Sequence, residues 1–251
     1  MLTFSLIKNR AIDSPIKKSK VIAITTSLLL LSACGSDNNS VAETPTPTPT
    51  PVPTEYSYSI SVTNLTYAQP LSPLAVVLHN DRKMWITGEA ASLALEKLAE
   101  SGDNSDLLSD SNALASISGD GVVLPGLAST IELSTADRKA TFFTAATMLV
   151  NTNDAFTGLT GVDISSMAID DVKSWHLNVY DAGTELNSEA MGTIPGPADG
   201  GTGFDEARND VDFVAIHSGV VSQDDGLSNS VLAQAHRFDN PAIKLSITRT
   251  K

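Results

Sequence analysis

Apolar and polar residues alternate in short runs over most of the chain after residue 55, and this alternation predicts β-strands. The first run, at residues 58–66, is rich in β-branched residues and has one polar face. Turn residues separate it from further apolar or alternating runs at residues 74–79, 122–124, 130–134, 140–150, 175–180, 213–217 and 242–247. About eight strands in roughly 195 residues favour a single antiparallel β-sandwich.

Residues 90–100 break this pattern and predict the one convincing helix. Leu93 and Leu98 lie among alanines there, and Gly102 can take the left-handed conformation that ends a helix. Residues 103–113 are acidic and predict a loop or a short second helix. The predicted fold class is therefore mainly all-β, with one short α-helix.

The first 33 residues have the layout of a lipoprotein signal peptide. Basic Lys17, Lys18 and Lys20 precede an apolar run at residues 21–31, which is too short to cross a bilayer. That run leads into Leu-Ser-Ala and then Cys34, where the small residues suit a signal peptidase and the thiol accepts a diacylglycerol. Cys34 is the only cysteine, so no disulfide can form within the chain. The alternatives are an uncleaved transmembrane anchor and a cysteine placed there by chance.

Lipidation of Cys34 would fix the protein in the cell envelope. Gly35 follows it in place of the Asp that commonly retains lipoproteins in the inner membrane, which favours the outer membrane. Residues 44–54 alternate Thr and Pro, and repeated proline predicts an extended, polyproline II-like stalk. The predicted organisation is a signal peptide over residues 1–33, the lipidated cysteine and linker over 34–55, and a folded domain over 56–251.

The charge balance is acidic and narrows the set of partners. The chain has 16 Lys and Arg residues and 29 Asp and Glu residues. Residues 1–33 hold five of the basic and one of the acidic residues, so cleavage leaves 11 basic and 28 acidic residues and a net charge of −17. Such a surface repels phosphate backbones, which argues against nucleic acid as a partner. It suits divalent cations and basic partners, and it also fits a role in solubility alone.

The motifs of common catalytic sites are absent from the sequence. It has no G-x-S-x-G elbow, no P-loop, no dinucleotide-binding glycine pattern and no H-E-x-x-H. The four histidines show no zinc-ligand spacing, and His79 and His217 lie in strand-like runs, which favours hydrogen-bonded sheet residues. A Ser-His-Asp set assembled in space stays an alternative, because such residues need not be close in sequence.

Three acidic residues lie beside predicted strand ends and indicate an oxygen-rich metal site. Asp154 follows one predicted strand, and Asp181 and Glu185 follow another, on either side of Gly183. A glycine there would let the backbone turn sharply, so that the two side chains converge. Three clustered carboxylates repel one another without a cation, and Ca²⁺ prefers such hard oxygen ligands. Asp, Asn and Gly are also common in ordinary turns, and spacing alone favours that alternative.

Two motifs carry a resemblance to a known family. Residues 148–158 are M-L-V-N-T-N-D-A-F-T-G, and residues 180–187 are Y-D-A-G-T-E-L-N. They resemble the spondin amino-terminal domain, the module of F-spondin and mindin that also occurs in bacterial lipoproteins. The likeness covers residues 58–187 and continues more weakly to the last predicted strand. The other matching segments are residues 62–66, 69–73, 88–92, 98–103 and, among the weaker ones, 214–219.

The resemblance implies a C2-like antiparallel β-sandwich and a Ca²⁺ site formed by Asp154, Asp181 and Glu185. Glu185 stands where the animal motif has aspartate, so this ligand is longer by one methylene. The animal proteins also carry disulfides and thrombospondin-type repeats, and this chain has neither. Their matrix and integrin roles are therefore not transferred.

Two functions follow as hypotheses. The first is a non-catalytic, calcium-dependent adhesion or ligand-binding module, held at a membrane by its lipid and facing an extracellular protein or glycan. The second is a hydrolase of an extracellular polymer, with a site that the sequence does not reveal. The first is favoured because the best-defined polar cluster is a metal site without an evident base or nucleophile.

Overall fold

Two antiparallel β-sheets share an apolar core in the computed structural model of the protein. The structure describes residues 55–80 and 83–251. The predicted signal peptide, the lipidation of Cys34 and the Thr-Pro stalk lie outside these residues. The prediction of a mainly β, antiparallel sandwich is confirmed.

Within residues 55–80 and 83–251, ten strands build the two sheets. In chain order they are β1 (Tyr56–Asn64), β2 (Ala75–His79), β3 (Ala113–Ser118), β4 (Ala128–Thr135), β5 (Phe142–Met148), β6 (Ala155–Asp163), β7 (Val172–Leu177), β8 (Val179–Asp181), β9 (Ala215–Ile216) and β10 (Ile243–Arg249). The four-stranded sheet has the order β4-β1-β10-β7, and the six-stranded sheet has the order β3-β2-β5-β6-β8-β9. All neighbouring strands are antiparallel.

The alternate apolar side chains of the central strands in the four-stranded sheet pack into the core. Ile60 and Val62 of β1 are fully buried, and the alternate residues Ser59, Ser61 and Thr63 lie half-buried on the outer face. β10 lies beside β1 and buries Leu245 and Ile247 in the same way. These side chains join Phe143 of the opposite sheet in one apolar cluster. The alternating pattern predicts an antiparallel sheet with one face on the core and the other exposed to solvent.

β2 is buried on both faces. Val76 and Leu78 belong to the core that the two sheets share, while Ala75 and Val77 belong to a second cluster on the outer face of the six-stranded sheet. Helix α1 (Leu93–Ser101) supplies part of that second cluster. Because both faces are covered, β2 is a continuous apolar run and does not alternate.

Helix α1 has both of its ends fixed by the sequence. The Ser92 hydroxyl accepts a hydrogen bond from the Leu95 N–H at 3.3 Å, and Gly102 takes the left-handed conformation and donates to the Leu98 carbonyl at 3.0 Å. The short second helix is α2 (Ser105–Leu108). In the part of the chain that the structure describes, no helix is long and apolar enough to cross a membrane.

The sequence pattern fails to predict two strands of the six-stranded sheet. β3 is half-buried along its whole length and has no clear alternation. β6 contains Gly158 and Gly161 and lies in the polar motif that follows the predicted strand at residues 140–150. Glycine weakens a strand because it has no side chain to pack, so the pattern alone favours a loop.

Three predicted strands are wrong or need correction. At residues 122–124, Val123 forms only an isolated bridge to Leu71. Residues 175–180 are divided at Asn178, where the chain leaves β7 in one sheet and enters β8 in the other. Residues 213–217 contain only the short β9. Tertiary contacts determine these strand boundaries, and local β-propensity does not predict those contacts.

Candidate metal centre

Strand pairing brings two of the predicted ligands to one end of the six-stranded sheet. Asp154 immediately precedes β6, and Asp181 is the last residue of β8. These strands are antiparallel neighbours, with Ala155 opposite Asp181, and the Ala182 N–H donates to the Asp154 carbonyl at 3.2 Å. The two acids are therefore neighbours across the ladder.

The hydroxyl group of Thr152 stabilises the loop before β6. The Thr152 hydroxyl donates to the Leu149 carbonyl at 2.6 Å and accepts from the Ala155 N–H at 3.1 Å. The Leu149 N–H in turn donates to the Ala155 carbonyl at 2.9 Å. These bonds close a tight turn that leaves Asp154 at its exit, directed by a fixed backbone.

The carboxylate of Asp154 is enclosed and only half satisfied. Its side chain is fully buried, and Oδ2 accepts hydrogen bonds from the Thr184 N–H at 2.8 Å, the Glu185 N–H at 3.1 Å and the Thr184 hydroxyl at 3.3 Å. Its other oxygen, Oδ1, has no hydrogen-bond partner among the described residues. A buried carboxylate oxygen without a donor is costly, and it marks a place where a bound group is expected.

Gly183 sets the shape of the turn that follows Asp181. It has φ +72°, and its N–H donates to Asp181 Oδ1 at 2.7 Å. A Cβ atom added to Gly183 would lie 2.3 Å from the carbonyl oxygen of Phe213. The sharp turn expected at this glycine is therefore confirmed, and the close backbone contact is a second reason why only glycine fits.

Glu185 lies partly exposed beyond this turn. Its Oε1 accepts a hydrogen bond from the Asn153 amide at 3.3 Å, and its Oε2 is buried without a partner among the described residues. Burial, and then the nearby charges of Glu100 and Asp205, raise the pKa of Glu185 to about 7, against the opposing effect of the Asn153 hydrogen bond. Its strongest acidic neighbours thus come from outside the predicted trio.

The electrostatics of Asp154 follow from burial and from Asp181. Desolvation, and then the negative charge of Asp181, raise the pKa of Asp154 to about 7, against the opposing effect of the hydrogen bonds from Glu185 and Thr184. Burial and the same Asp181 charge also raise the pKa of Asp210. Asp181 is therefore the centre of a group of repelling carboxylates, one of which the sequence does not single out.

The predicted convergence of all three acids on one point is only partly realised. Within residues 55–80 and 83–251, no group of three or more His, Cys, Asp or Glu side chains is arranged to hold a metal ion. Asp154 and Asp181 are brought together, and both oxygens of Asp181 accept protein hydrogen bonds. A cation with three acidic ligands would require side-chain torsions to change when it binds.

A polar chain behind Asp181 has no strong sequence signal. The Asn187 amide donates to Asp181 Oδ2, and its carbonyl oxygen lies 3.2 Å from Nε2 of His217. Nδ1 of His217 accepts the Gly219 N–H at 2.9 Å, so the ring proton is on Nε2 and is donated to Asn187. Asn187 is the last residue of the second motif, whereas only tertiary structure brings His217 to this place.

The two histidines singled out in the sequence are both hydrogen-bonded. His217 is buried between Asn187 and the backbone of Gly219, and Nε2 of buried His79 lies 2.8 Å from the Thr144 hydroxyl. Burial lowers the pKa of His217 and the charge of Asp181 opposes this shift. Its ring nitrogens are engaged by an amide and a backbone N–H.

The chain was compared with protein-family models and with curated proteins. No family model matches the chain, and no curated protein matches it. The resemblance to the spondin amino-terminal domain therefore stays a prediction carried by the two motifs at residues 148–158 and 180–187.

Proposed function

We propose that the protein is a calcium-binding module of the spondin amino-terminal type, lipid-anchored through Cys34 in the cell envelope. Asp154 and Asp181 would hold the ion, and Glu185 would supply a third carboxylate after a change in its side-chain torsions. The module would bind an extracellular protein or glycan and carry out no catalysis. The hydrolase alternative stays a prediction without a site.

The observation that carries this proposal is the unpartnered oxygen of Asp154. The side chain is fully buried, Oδ2 is saturated by three donors, and Oδ1 has none among the described residues. Asp181 adds a second negative charge beside it. A hard divalent cation would neutralise both charges and occupy the free lone pairs, and carboxylate oxygens are the ligands that Ca²⁺ prefers.

Exposed apolar residues beside the acidic turn support a binding role. Leu186 lies in the turn itself, Ile216 of β9 lies opposite Tyr180, and the backbone of Phe213 touches Gly183. All three apolar side chains of this set (Leu186, Phe213 and Ile216) are more than two-fifths exposed. Exposed apolar side chains beside a polar site are groups that a binding partner can cover.

Thermal unfolding of the purified full chain tests the metal. We expect the melting temperature to rise in CaCl₂ relative to chelator, because a ligand that binds only the folded state stabilises it, by about 2.7 kcal/mol at a hundred times Kd. MgCl₂ at the same ionic strength is the control, since Mg²⁺ demands a tighter octahedral site. Identical melting in calcium and chelator would contradict the proposal.

The binding role needs a separate measurement. An array of glycans and extracellular matrix proteins, probed with and without calcium, would identify ligands of this module. A Leu186→Ser variant, altered at an exposed position, should lose binding while it keeps its calcium-dependent melting. Retention of ligand binding in chelator would show that the cation has no part in recognition.

A further inference from the structure

A pocket lies at the edge of the sandwich where the chain passes from β7 to β8. Its volume is about 400 Å³, and its wall includes Leu177 of β7, Tyr180 of β8 and residues 158–160 of β6. Lys83 and residues 85–87 supply the rest of the wall. Ligand pockets in proteins have volumes of about 300–1,000 Å³, so this one can hold a small ligand. Among the described residues that line it, none is an acid of the candidate metal centre.

Hydrogen bonds fix the segment of residues 83–89, which forms one wall of the pocket. The Met84 N–H donates to the Thr160 hydroxyl at 2.6 Å. The Gly88 N–H donates to the Val214 carbonyl at 2.7 Å. Both ends of the wall are therefore bonded to other parts of the domain. A wall that is already ordered reduces the entropy cost of binding a ligand.

Two aromatic side chains of the pocket are held in place by a third. Trp85 and Tyr180 line the pocket, and both rings pack against the fully buried Phe156. The Trp85 ring meets Phe156 edge-on, with ring centroids 5.3 Å apart, and the Tyr180 ring stacks on Phe156 at 5.5 Å and 28°. The wall thus contains a rigid, flat apolar surface. The C–H groups of a sugar ring can pack against aromatic rings held in this way.

The polar part of the pocket carries a positive charge. Lys83 is exposed and is the only charged side chain among the described residues that line the pocket, although the whole chain has a net charge of −13. Thr87 and Thr160 add hydroxyl groups. The Thr160 oxygen accepts from the Met84 N–H and, at 3.4 Å, from the Thr144 hydroxyl, so its own O–H can donate to a ligand. An acidic ligand therefore meets an ammonium group and no carboxylate in this wall.

We propose that this pocket binds an acidic sugar, a uronic acid unit of an extracellular polysaccharide. The sugar ring packs against Trp85 and Tyr180, its carboxylate pairs with the Lys83 ammonium group, and the Thr160 hydroxyl donates to a sugar oxygen. A neutral sugar leaves the Lys83 charge without a partner, and an anion without a ring leaves the aromatic surface uncovered. The inference goes beyond the proposed function, because this site is separate from the candidate metal centre and needs no cation.

Tryptophan fluorescence of the purified full chain tests the site. The chain has two tryptophans, and a Trp175→Phe variant leaves Trp85 as the only reporter. The probes are hexamers of galacturonic acid and of mannuronic acid, in chelator so that calcium cannot bridge the sugar to the protein. We expect a saturable change in the Trp85 emission. The same hexamers with their carboxylates reduced to alcohols are the neutral control. They should bind about tenfold more weakly, because the charge-assisted hydrogen bond to Lys83 is lost.

Lys83→Gln removes the charge at an exposed position, where the fold does not depend on the side chain. Its affinity for the acidic hexamers should fall about tenfold, to that of the reduced hexamers. Lys244→Gln is the matched control, because Lys244 is exposed on β10 outside the pocket. It should change Kd by less than about twofold, as expected for a screened surface charge. Leu186→Ser, altered beside the acidic turn, should bind the hexamers as wild type does.

An unchanged Trp85 emission with both acidic hexamers would overturn the proposal. Equal affinity for the acidic and the reduced hexamers would overturn it too, as would equal affinity of wild type and Lys83→Gln. The result is independent of the calcium measurement. A protein that binds the hexamers but melts identically in calcium and chelator keeps this site and loses the proposed metal function. The reverse result keeps the metal function and loses this site.

Discussion

Asp154 accepts two hydrogen bonds from Thr184, one from its N–H at 2.8 Å and one from its hydroxyl at 3.3 Å, and both end on the same carboxylate oxygen. The other oxygen of Asp154 is left buried without a partner among the described residues. The asymmetry means that ionisation of Asp154 places a destabilising charge at a defined atom of the folded protein. Several consequences of this arrangement can be measured.

An Asp154→Asn variant should be more stable than wild type in chelator and should lose its calcium-dependent melting. The amide oxygen can keep the bonds from Thr184 and Glu185, while the uncharged amino group takes the place of Oδ1. We expect a gain of about 1–2 kcal/mol in the free energy of unfolding, since a buried charge is removed and an unpaired amino group remains. Urea denaturation in chelator above pH 7, where Asp154 is ionised, measures it.

The control for this variant is Asp120→Asn, which removes a carboxylate from an exposed turn. It should change the free energy of unfolding by less than about 0.5 kcal/mol and keep the calcium response. A destabilised Asp154→Asn variant that still responds to calcium would show that Asp154 is a structural hydrogen-bond acceptor and no ligand.

Stability in chelator should fall as the pH rises towards 7. The pKa of Asp154 is raised from 3.8 to about 7 in the folded state, so between these values the folded state holds a proton that the unfolded state has released. The free energy of unfolding then decreases with pH, by at most about 1.4 kcal/mol per pH unit for one group, and becomes flat above pH 7. Calcium should oppose the decrease by stabilising the ionised carboxylate.

His217 acts with the opposite sign and must be separated from Asp154. Burial lowers the pKa of His217, so below pH 6.5 the unfolded state holds the extra proton and stability rises with pH. Asp154→Asn retains His217, and the difference between the two proteins in denaturation series from pH 5 to pH 8 isolates Asp154. A difference that does not vary with pH would contradict the raised pKa.

The strands with clean alternation are predictable from sequence. Residues 58–66 and 242–247 are predicted within a few positions of β1 and β10, and the Gly102 stop of α1 is placed correctly. β6 is not predicted from the sequence, because its glycines have no side chains to give an apolar pattern. They instead allow the backbone of the neighbouring strand to approach closely. A Cβ atom on Gly158 would lie 2.1 Å from the Ala145 carbonyl oxygen, which only the neighbouring strand can explain.

The site shows the same division between local and tertiary information. Asp154 and Asp181 can be found because each sits in a recognisable motif, and strand register then brings them together. Asp210 lies in a segment with no periodic pattern, and the N–H groups of its neighbours Asn209 and Asp212 donate to the carbonyls of Thr184 and Gly183. No local property of this segment predicts those hydrogen bonds, so sequence alone does not place Asp210 beside the turn.

Gly183→Ala should destabilise the protein and weaken calcium binding together. The new Cβ would meet Phe213 at 2.3 Å, and alanine at φ +72° is strained, so we expect a loss of about 2–4 kcal/mol. Gly192→Ala is the control, because Gly192 has φ +88° with nothing within 4 Å. It should lose only about 1 kcal/mol from backbone strain. Equal losses in urea denaturation would show that the close contact with Phe213 is unimportant.

Asn187→Ala should weaken calcium binding by about tenfold, because Asn187 orients Asp181 and groups behind a ligand tune metal affinity. Asn112→Ala removes a comparable bond, from its amide to Asp110 Oδ1 at 2.9 Å, outside the candidate site. Calorimetry should find wild-type affinity in that control. Unchanged affinity in Asn187→Ala, with a lowered melting temperature, would assign Asn187 a structural role only.

Cys34→Ala should abolish lipid attachment. Cys34 is the only cysteine, so every thioether-linked lipid on the chain must be carried by this residue. In cells fed an alkyne fatty acid, the wild-type protein should be labelled, should fractionate with membranes and should begin at residue 34 by mass spectrometry. The variant should be unlabelled and keep its signal segment, because processing requires the lipidated thiol. Ser36→Ala, two residues beyond the cysteine, should behave as wild type. A variant that is still labelled, or a wild-type chain that begins elsewhere, would remove the anchor and leave the folded domain as a secreted or differently tethered module.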